Sequence, residues 1–225
     1  NYFPGRGKLP REATLDLLRS VYAESSEDEL LEMMNYIKKR KNEEMMGGTM
    51  NHGKRKNKNL ARQAATYLRK SDGPRVAVFE VNGFDTHAAQ GGVDGTHTKC
   101  LVEMDEIFNN LKDNLQEAYK DTIILTVTEF GRTIKQNGGN GTEHGYGTAI
   151  FMAGGLLKKS QVYTDWPGLK RKEMYQGRDL NATIDARSVY ASAMSTVFDL
   201  DFKRIQKDVF WGEDLQNLSD KLFKA

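Results

Sequence analysis

The chain has 225 residues, of which 38% are hydrophobic and 28% charged, a composition typical of folded globular domains. This composition excludes a mostly disordered chain, and a net charge of only +2 gives no overall field for nucleic-acid binding. No apolar run reaches the roughly 20 residues that a membrane helix needs, and the single Cys100 excludes an internal disulfide.

Residues 1–72 are predicted to form a helical N-terminal segment with a basic loop. A Ser-x-x-Glu capping box at residues 26–29 begins one of its helices, and a short helix covers about residues 60–70. The basic runs at residues 38–41 and 54–58 are interpreted as solvated surface. They lack the interleaved aromatic residues that a single-strand nucleic-acid binder uses.

An α/β core is predicted over residues 73–200. The apolar run at residues 75–81 predicts a buried strand, and regularly spaced apolar residues over 101–118 predict an amphipathic helix. A second buried strand is expected at residues 122–128. Because a strand–helix–strand unit of this length is normally a right-handed crossover, the two strands are expected to be parallel.

The rest of the core contains weaker patterns. Further strands are predicted at residues 148–153 and 161–163, and Asp185 is placed to cap a helix and to form an ion pair with Arg187. Residues 201–225 are predicted to form a C-terminal helical tail. The sequence therefore divides into an N-terminal segment, an α/β core and a tail.

Three polar loop segments follow the predicted strands, at residues 83–87, 128–133 and 141–145. In parallel α/β sheets, ligands bind beyond the carboxyl ends of the strands. Each segment alone is unspecific, since an Asp-x-His pair often forms a local turn and a Glu at a strand end often lies on the surface. Their joint placement predicts a composite site.

The residue types in these segments favour metal chemistry. Asp85 and His87 are two residues apart, so they point to the same side of an extended segment, and carboxylate with imidazole suits Zn²⁺ or a similar ion. His144 adds a third ligand from the facing loop. Glu129 is interpreted as a ligand or a base, and Arg132 as a planar fork for phosphate, sulfate or carboxylate.

These motifs resemble those of the bacterial domain-of-unknown-function family 1501. The resemblance covers about residues 74–200 and rests on segments 83–87 with Gln90, 128–133, 141–145, 162–169 and 177–180.

The resemblance implies an alkaline-phosphatase-like, or sulfatase-like, fold: a three-layer sandwich with a mostly parallel central sheet flanked by helices. It also implies further strands N-terminal to this chain, an export signal, a periplasmic or cell-surface location, and protein partners at the cell surface.

The resemblance further implies an order of metal ligands along the chain, with Asp85 and His87 first, then Glu129, then His144. Phe130 stands where the superfamily pattern has a ligand histidine, and a phenyl ring cannot bind a metal. One divalent metal ion (zinc, calcium, manganese or magnesium) or none is therefore expected, rather than two. The sulfatase nucleophile motif is absent from these residues.

Two hypotheses follow. In the first, the protein is a metal-dependent hydrolase of phosphate or sulfate esters, with a metal held by Asp85, His87 and His144 and with Glu129 and Arg132 in catalytic roles. Its substrate would be a small anionic ester. In the second, it is a non-catalytic, degenerate scaffold or binding protein, whose polar residues form a rigid network. Nucleic-acid binding through the basic runs ranks last.

Overall fold

The computed structural model describes residues 54–224, so the predicted capping box at 26–29 and basic run at 38–41 lie outside the described residues. The described helices are α1 (Lys54–Leu68), α2 (Thr96–Leu115), the 3₁₀ helix Gln116–Asp121, α3 (Ala186–Phe198), α4 (Phe202–Asp208) and α5 (Ser219–Leu222). The strands are β1 (Ile124–Leu125), β2 (Gly131–Arg132), β3 (His144–Gly145) and β4 (Met152–Ala153).

The four strands form two separate antiparallel pairs. In the pair β1–β4, Ile124 lies opposite Ala153, and in the pair β2–β3, Arg132 lies opposite His144. The predicted strands at 122–128 and 148–153 are therefore confirmed only over two residues each. The expected parallel pairing of 75–81 with 122–128 is wrong for the residues that the structure describes.

Residues 75–81 do not form a strand, although their apolar run is typical of a buried strand. Phe79 and Val81 pack against the α1–α2 core, whereas Val76 and Val78 on the other side are 62% and 88% exposed. An extended segment becomes a strand only when a neighbour pairs with its N–H and C=O groups. No backbone group of residues 75–81 has such a partner within the described chain. The predicted strand at 161–163 is likewise unpaired.

Strand β1 lies between two apolar clusters and has apolar neighbours in both. Ile124 packs against a cluster shared by α1 and α2, while Ile123 and Leu125 pack against a second cluster formed by α3 and the C-terminal residues. The first cluster contains Ala61, Ala65, Ile107, Leu111 and Leu115, and the second contains Val189, Ala193, Leu218, Leu222 and Phe223. Side-chain packing thus crosses both predicted domain boundaries.

The predicted start of α3 is confirmed. Asp185 Oδ1 accepts a hydrogen bond of 2.8 Å from the backbone N–H of Arg187, and the two side chains form an ion pair at 2.7 Å. The side-chain hydrogen bond from Arg187 lowers the pKa of Asp185, and this outweighs the opposing effect of partial burial. Among the described helices, none combines the length and apolar character that a membrane crossing requires.

Candidate metal centre

Two loops whose paired residues are 50 and 56 positions apart in sequence are joined by backbone hydrogen bonds. The N–H of Thr142 donates to the carbonyl of Thr86 at 3.1 Å, and the N–H of Ala89 donates to the carbonyl of Gly139 at 2.9 Å. At Gly141 the backbones are so close that a Cβ atom would lie 2.3 Å from the carbonyl carbon of His87. Only glycine fits there. The loops carrying Asp85–His87 and Glu143–His144 are therefore held side by side.

The β2–β3 pair sets the second part of the site. Arg132 and His144 are direct cross-strand partners, so their side chains stand on one face of the ladder. Arg132 Nε donates to Thr142 Oγ1 at 2.9 Å, and its two terminal nitrogens donate to Asp85 Oδ1 and to the carbonyl oxygen of Thr142. The Arg132 side chain is only 19% exposed. It thereby fixes the Asp85 carboxylate against the second loop.

Three ligand atoms converge between these loops. His87 Nε2 lies 3.1 Å from His144 Nε2, and both nitrogens lie 3.1 Å from Asp85 Oδ1. Ligands at about 2.0–2.1 Å from a tetrahedral zinc ion are roughly 3.3 Å apart, so this triangle is close to one face of a zinc shell. The three side chains are 56%, 44% and 48% exposed, in the order Asp85, His87 and His144. The described geometry thus suits a metal ion with an open side toward solvent.

The electrostatics of Asp85 favour its charged form. Desolvation raises the pKa of this carboxyl group, but the hydrogen bond from Arg132 and the attraction of His87 outweigh it, so the net pKa lies below the ordinary value. The contacts with Arg132, His87 and His144 together decide the direction of the shift. An ionised carboxylate is the form that binds a metal.

Glu143 lies behind His87, on the side away from the triangle. Its Oε2 lies 2.9 Å from His87 Nδ1, and its Oε1 accepts a hydrogen bond of 2.5 Å from Asn137 Nδ2. The hydrogen bonds from Asn137 and then from His87 lower the pKa of Glu143. Asn137 also donates to the backbone carbonyl of His87 at 2.8 Å. One carboxylate and one amide therefore hold the imidazole of His87 in place.

Phe130 covers the other imidazole. Its ring stacks on that of His144 with centroids 3.7 Å apart and planes inclined by 17°. Phe130 thus contacts a candidate ligand directly, although a phenyl ring binds no metal itself. Stacking restricts the rotation of His144 about its side-chain bonds.

The predicted site residues fall into two groups. Asp85, His87 and His144 come together as expected, and Arg132 contacts Asp85. Glu129 is exposed, and within the described part of the chain no hydrogen bond or ion pair links it to the other four. The catalytic roles of Glu129 and Arg132 stay predictions.

Sequence reasoning missed the supporting residues Glu143, Asn137 and Phe130 as members of the site. The segment Asn137-Gly-Gly contains a recognisable signal, because an Asn side chain often accepts from the backbone N–H two residues later. Here Asn137 Oδ1 accepts from Gly139 N at 2.9 Å. For Glu143 the signal was its position next to His144. For Phe130 the sequence carries no signal, because a hydrophobic residue at the end of a strand does not indicate which side chain it will contact.

Together these features describe a chain of helices and short antiparallel strands with a solvent-facing cluster of two histidines and one aspartate. The chain matches the family described as a protein of unknown function (DUF1501) over residues 6–207, and it belongs to that family. The match begins well before residue 74, where the motif resemblance starts. No curated protein and no solved structure matches the chain.

Proposed function

We propose that the protein is a metal-dependent hydrolase of phosphate or sulfate esters, with one divalent cation bound by Asp85, His87 and His144. The observation that carries the proposal is the triangle of three ligand atoms with sides of 3.1 Å. Catalytic zinc sites use three protein ligands and leave a further position open. The exposure of all three side chains supports such an open position.

The ligand types narrow the choice of metal. Calcium and magnesium prefer oxygen ligands, whereas imidazole nitrogen suits zinc and other transition metals. With His87 and His144 supplying two of the three donors, zinc fits best among zinc, calcium, manganese and magnesium, and manganese comes next. A bound divalent ion would supply Lewis acidity to an ester oxygen.

The other residues of the site have separate parts in this proposal. The guanidinium nitrogens of Arg132 donate hydrogen bonds to Asp85 and Thr142, so Arg132 keeps the ligand carboxylate ionised and oriented. Glu129 stands in the strand-end segment that also carries Phe130, and it is proposed as a base that reaches a substrate on the open side. The substrate class and an exported location rest on the family resemblance.

The alternative is a non-catalytic scaffold or binding protein. It is favoured by the network that ties the loops together, in which Thr86 and Thr142 hydroxyls both donate to Gln90 Oε1 at 2.8 Å. Thr86 and Thr142 are 7% and 9% exposed. A buried, fully paired network rigidifies loops whether or not a metal is bound.

Elemental analysis of the purified 225-residue chain, before and after chelation, tests the proposal. We expect about one zinc or manganese ion per chain, and a large loss in the variants Asp85→Asn and His87→Ala. Asp94→Asn is the matched control, because Asp94 is exposed on the same stretch of loop and has no described partner.

Metal-loaded protein is then assayed with aryl phosphate and aryl sulfate esters. Hydrolysis that requires metal and disappears in His87→Ala supports the enzyme. No bound metal after incubation with each of the four cations would refute the proposal. Stoichiometric metal without hydrolysis of either ester class would favour the scaffold.

A further inference from the structure

The carboxylate of Glu143 contacts the ring nitrogen of His87 that does not face the triangle. The distance from Oε2 to Nδ1 is 2.9 Å, while Nε2 of the same ring is 3.1 Å from both Asp85 Oδ1 and His144 Nε2. The two ring nitrogens of His87 therefore have different surroundings. Nδ1 contacts Glu143, outside the triangle, and Nε2 contacts the two other candidate ligand atoms.

Glu143 itself is tightly constrained. Asn137 donates to its Oε1, and its backbone is held on both sides by Thr133, whose N–H donates to the Glu143 carbonyl at 3.0 Å and whose Oγ1 accepts from the Glu143 N–H at 3.1 Å. Asn137 is fixed in turn, because its Oδ1 accepts from the N–H groups of Gly139 and Gly141. The carboxylate position is therefore set by the loop before any ligand arrives.

The chemistry of the contact fixes the proton on His87. An ionised carboxylate only accepts hydrogen bonds, so Nδ1 carries a hydrogen when it bonds to Glu143. Nε2 faces Asp85 and His144, and it must give up any hydrogen of its own when a metal binds. With the proton on Nδ1, a neutral imidazole presents the Nε2 lone pair to the triangle, as metal ligation requires. The hydrogen bond also makes the imidazole a stronger base toward a metal.

We propose that Glu143 is a positioning residue of the metal site, holding His87 in the orientation and tautomer that bind the cation through Nε2. This inference rests on the proposed function, since it assumes a metal at the triangle. In proteins with such outer carboxylates, their removal typically weakens metal binding by about 10- to 100-fold. If Glu143 had only a structural role, its replacement would change loop stability but not the metal affinity of the site.

The variant Glu143→Gln of the full chain tests the role, with zinc titrated against a chromogenic chelator. Gln keeps the size of the side chain but removes the charge. Its single carbonyl oxygen can accept a hydrogen bond from His87 or from Asn137, but its NH₂ group then faces the other residue. We expect zinc affinity to fall about 10- to 100-fold and the visible absorption of the cobalt-substituted site to shift. Glu80→Gln, at an exposed carboxylate with no described partner, should bind zinc as the wild type does.

A second measurement observes the ring nitrogens of His87 directly. Nitrogen-15 NMR of the zinc-loaded chain shows, for each of its four histidines, which ring nitrogen carries hydrogen, with His87 assigned by comparison with His87→Gln. We expect the hydrogen on Nδ1. A hydrogen on Nε2, or unchanged zinc affinity and cobalt spectrum in Glu143→Gln, would overturn the inference while leaving the metal site intact. Failure of the wild type to bind any of zinc, manganese, calcium and magnesium would overturn the proposed function instead.

Discussion

Phe130 and His144 stack almost face to face, with ring centroids 3.7 Å apart, although they belong to different segments of the chain. Phe130 immediately precedes β2, and His144 begins β3, so the antiparallel pairing brings the two rings together. The stack limits the positions of the His144 imidazole before a ligand binds. Preorganisation of this kind lowers the ordering cost of binding.

Replacing Phe130 by Leu is expected to weaken metal binding by about 2- to 10-fold, the range that corresponds to a lost aromatic pair of roughly 0.5–1.5 kcal/mol. Leucine keeps an apolar side chain of similar bulk but removes the flat ring. Isothermal titration with zinc measures the change. Phe130→Tyr keeps the ring and should retain affinity; equal weakening in both variants would show that the stack is not the cause.

Arg132→Lys should destabilise the paired loops, because a lysine cannot replace the three contacts that the guanidinium makes to Asp85 and Thr142. The expected loss in the free energy of unfolding is about 1–3 kcal/mol. Urea denaturation of the metal-free protein measures it. Arg204→Lys is the control, since Arg204 is 74% exposed and its ion pair with Asp208 is 3.4 Å long; a surface pair of this kind contributes little.

Gly141→Ala should separate the two loops, because the added Cβ would meet the backbone of His87 and Thr86 at 2.3–2.5 Å. We expect a loss of about 1–3 kcal/mol in unfolding free energy from overpacking, together with weaker zinc binding. Gly138→Ala lies in the same loop, where nothing stands within 4 Å of the new Cβ. If both variants showed the same stability and zinc affinity as the wild type, the close approach at Gly141 would have no role in the site.

The helix cap at Asp185 predicts a pH dependence that does not involve the metal site. Because Arg187 lowers the pKa of Asp185 in the folded state, ionised Asp185 stabilises the fold at pH values above its unfolded pKa of about 3.9. That contribution is lost as the pH falls through the lower folded-state pKa.

Asp185→Asn preserves the cap but removes the charge, so unfolding free energy measured from pH 6 to pH 2 should fall less steeply than in the wild type. Asp199→Asn provides a control carboxylate at the other end of the same helix. An identical pH profile for wild type and Asp185→Asn would contradict the assigned role of the ion pair.

The local parts of the fold could be predicted from the sequence. Apolar spacing located α2, and the Asp185 cap located the start of α3, because both depend on residues within one or two turns of each other. Strand pairing could not be predicted in the same way. Residues 75–81 form an apolar run typical of a buried strand, yet whether they enter a sheet depends on a partner elsewhere in the chain.

The sequence by itself determined which residues could bind a metal, since only certain side chains offer suitable lone pairs, and Asp85, His87 and His144 were identified on that basis. Only the tertiary structure decided that the three ligand atoms lie 3.1 Å apart, that Arg132 donates a hydrogen bond to Asp85, and that Glu143 contacts His87. The physical reason is distance along the chain. His87 and Glu143 are 56 residues apart, and their contact exists because backbone hydrogen bonds and a glycine bring two loops together.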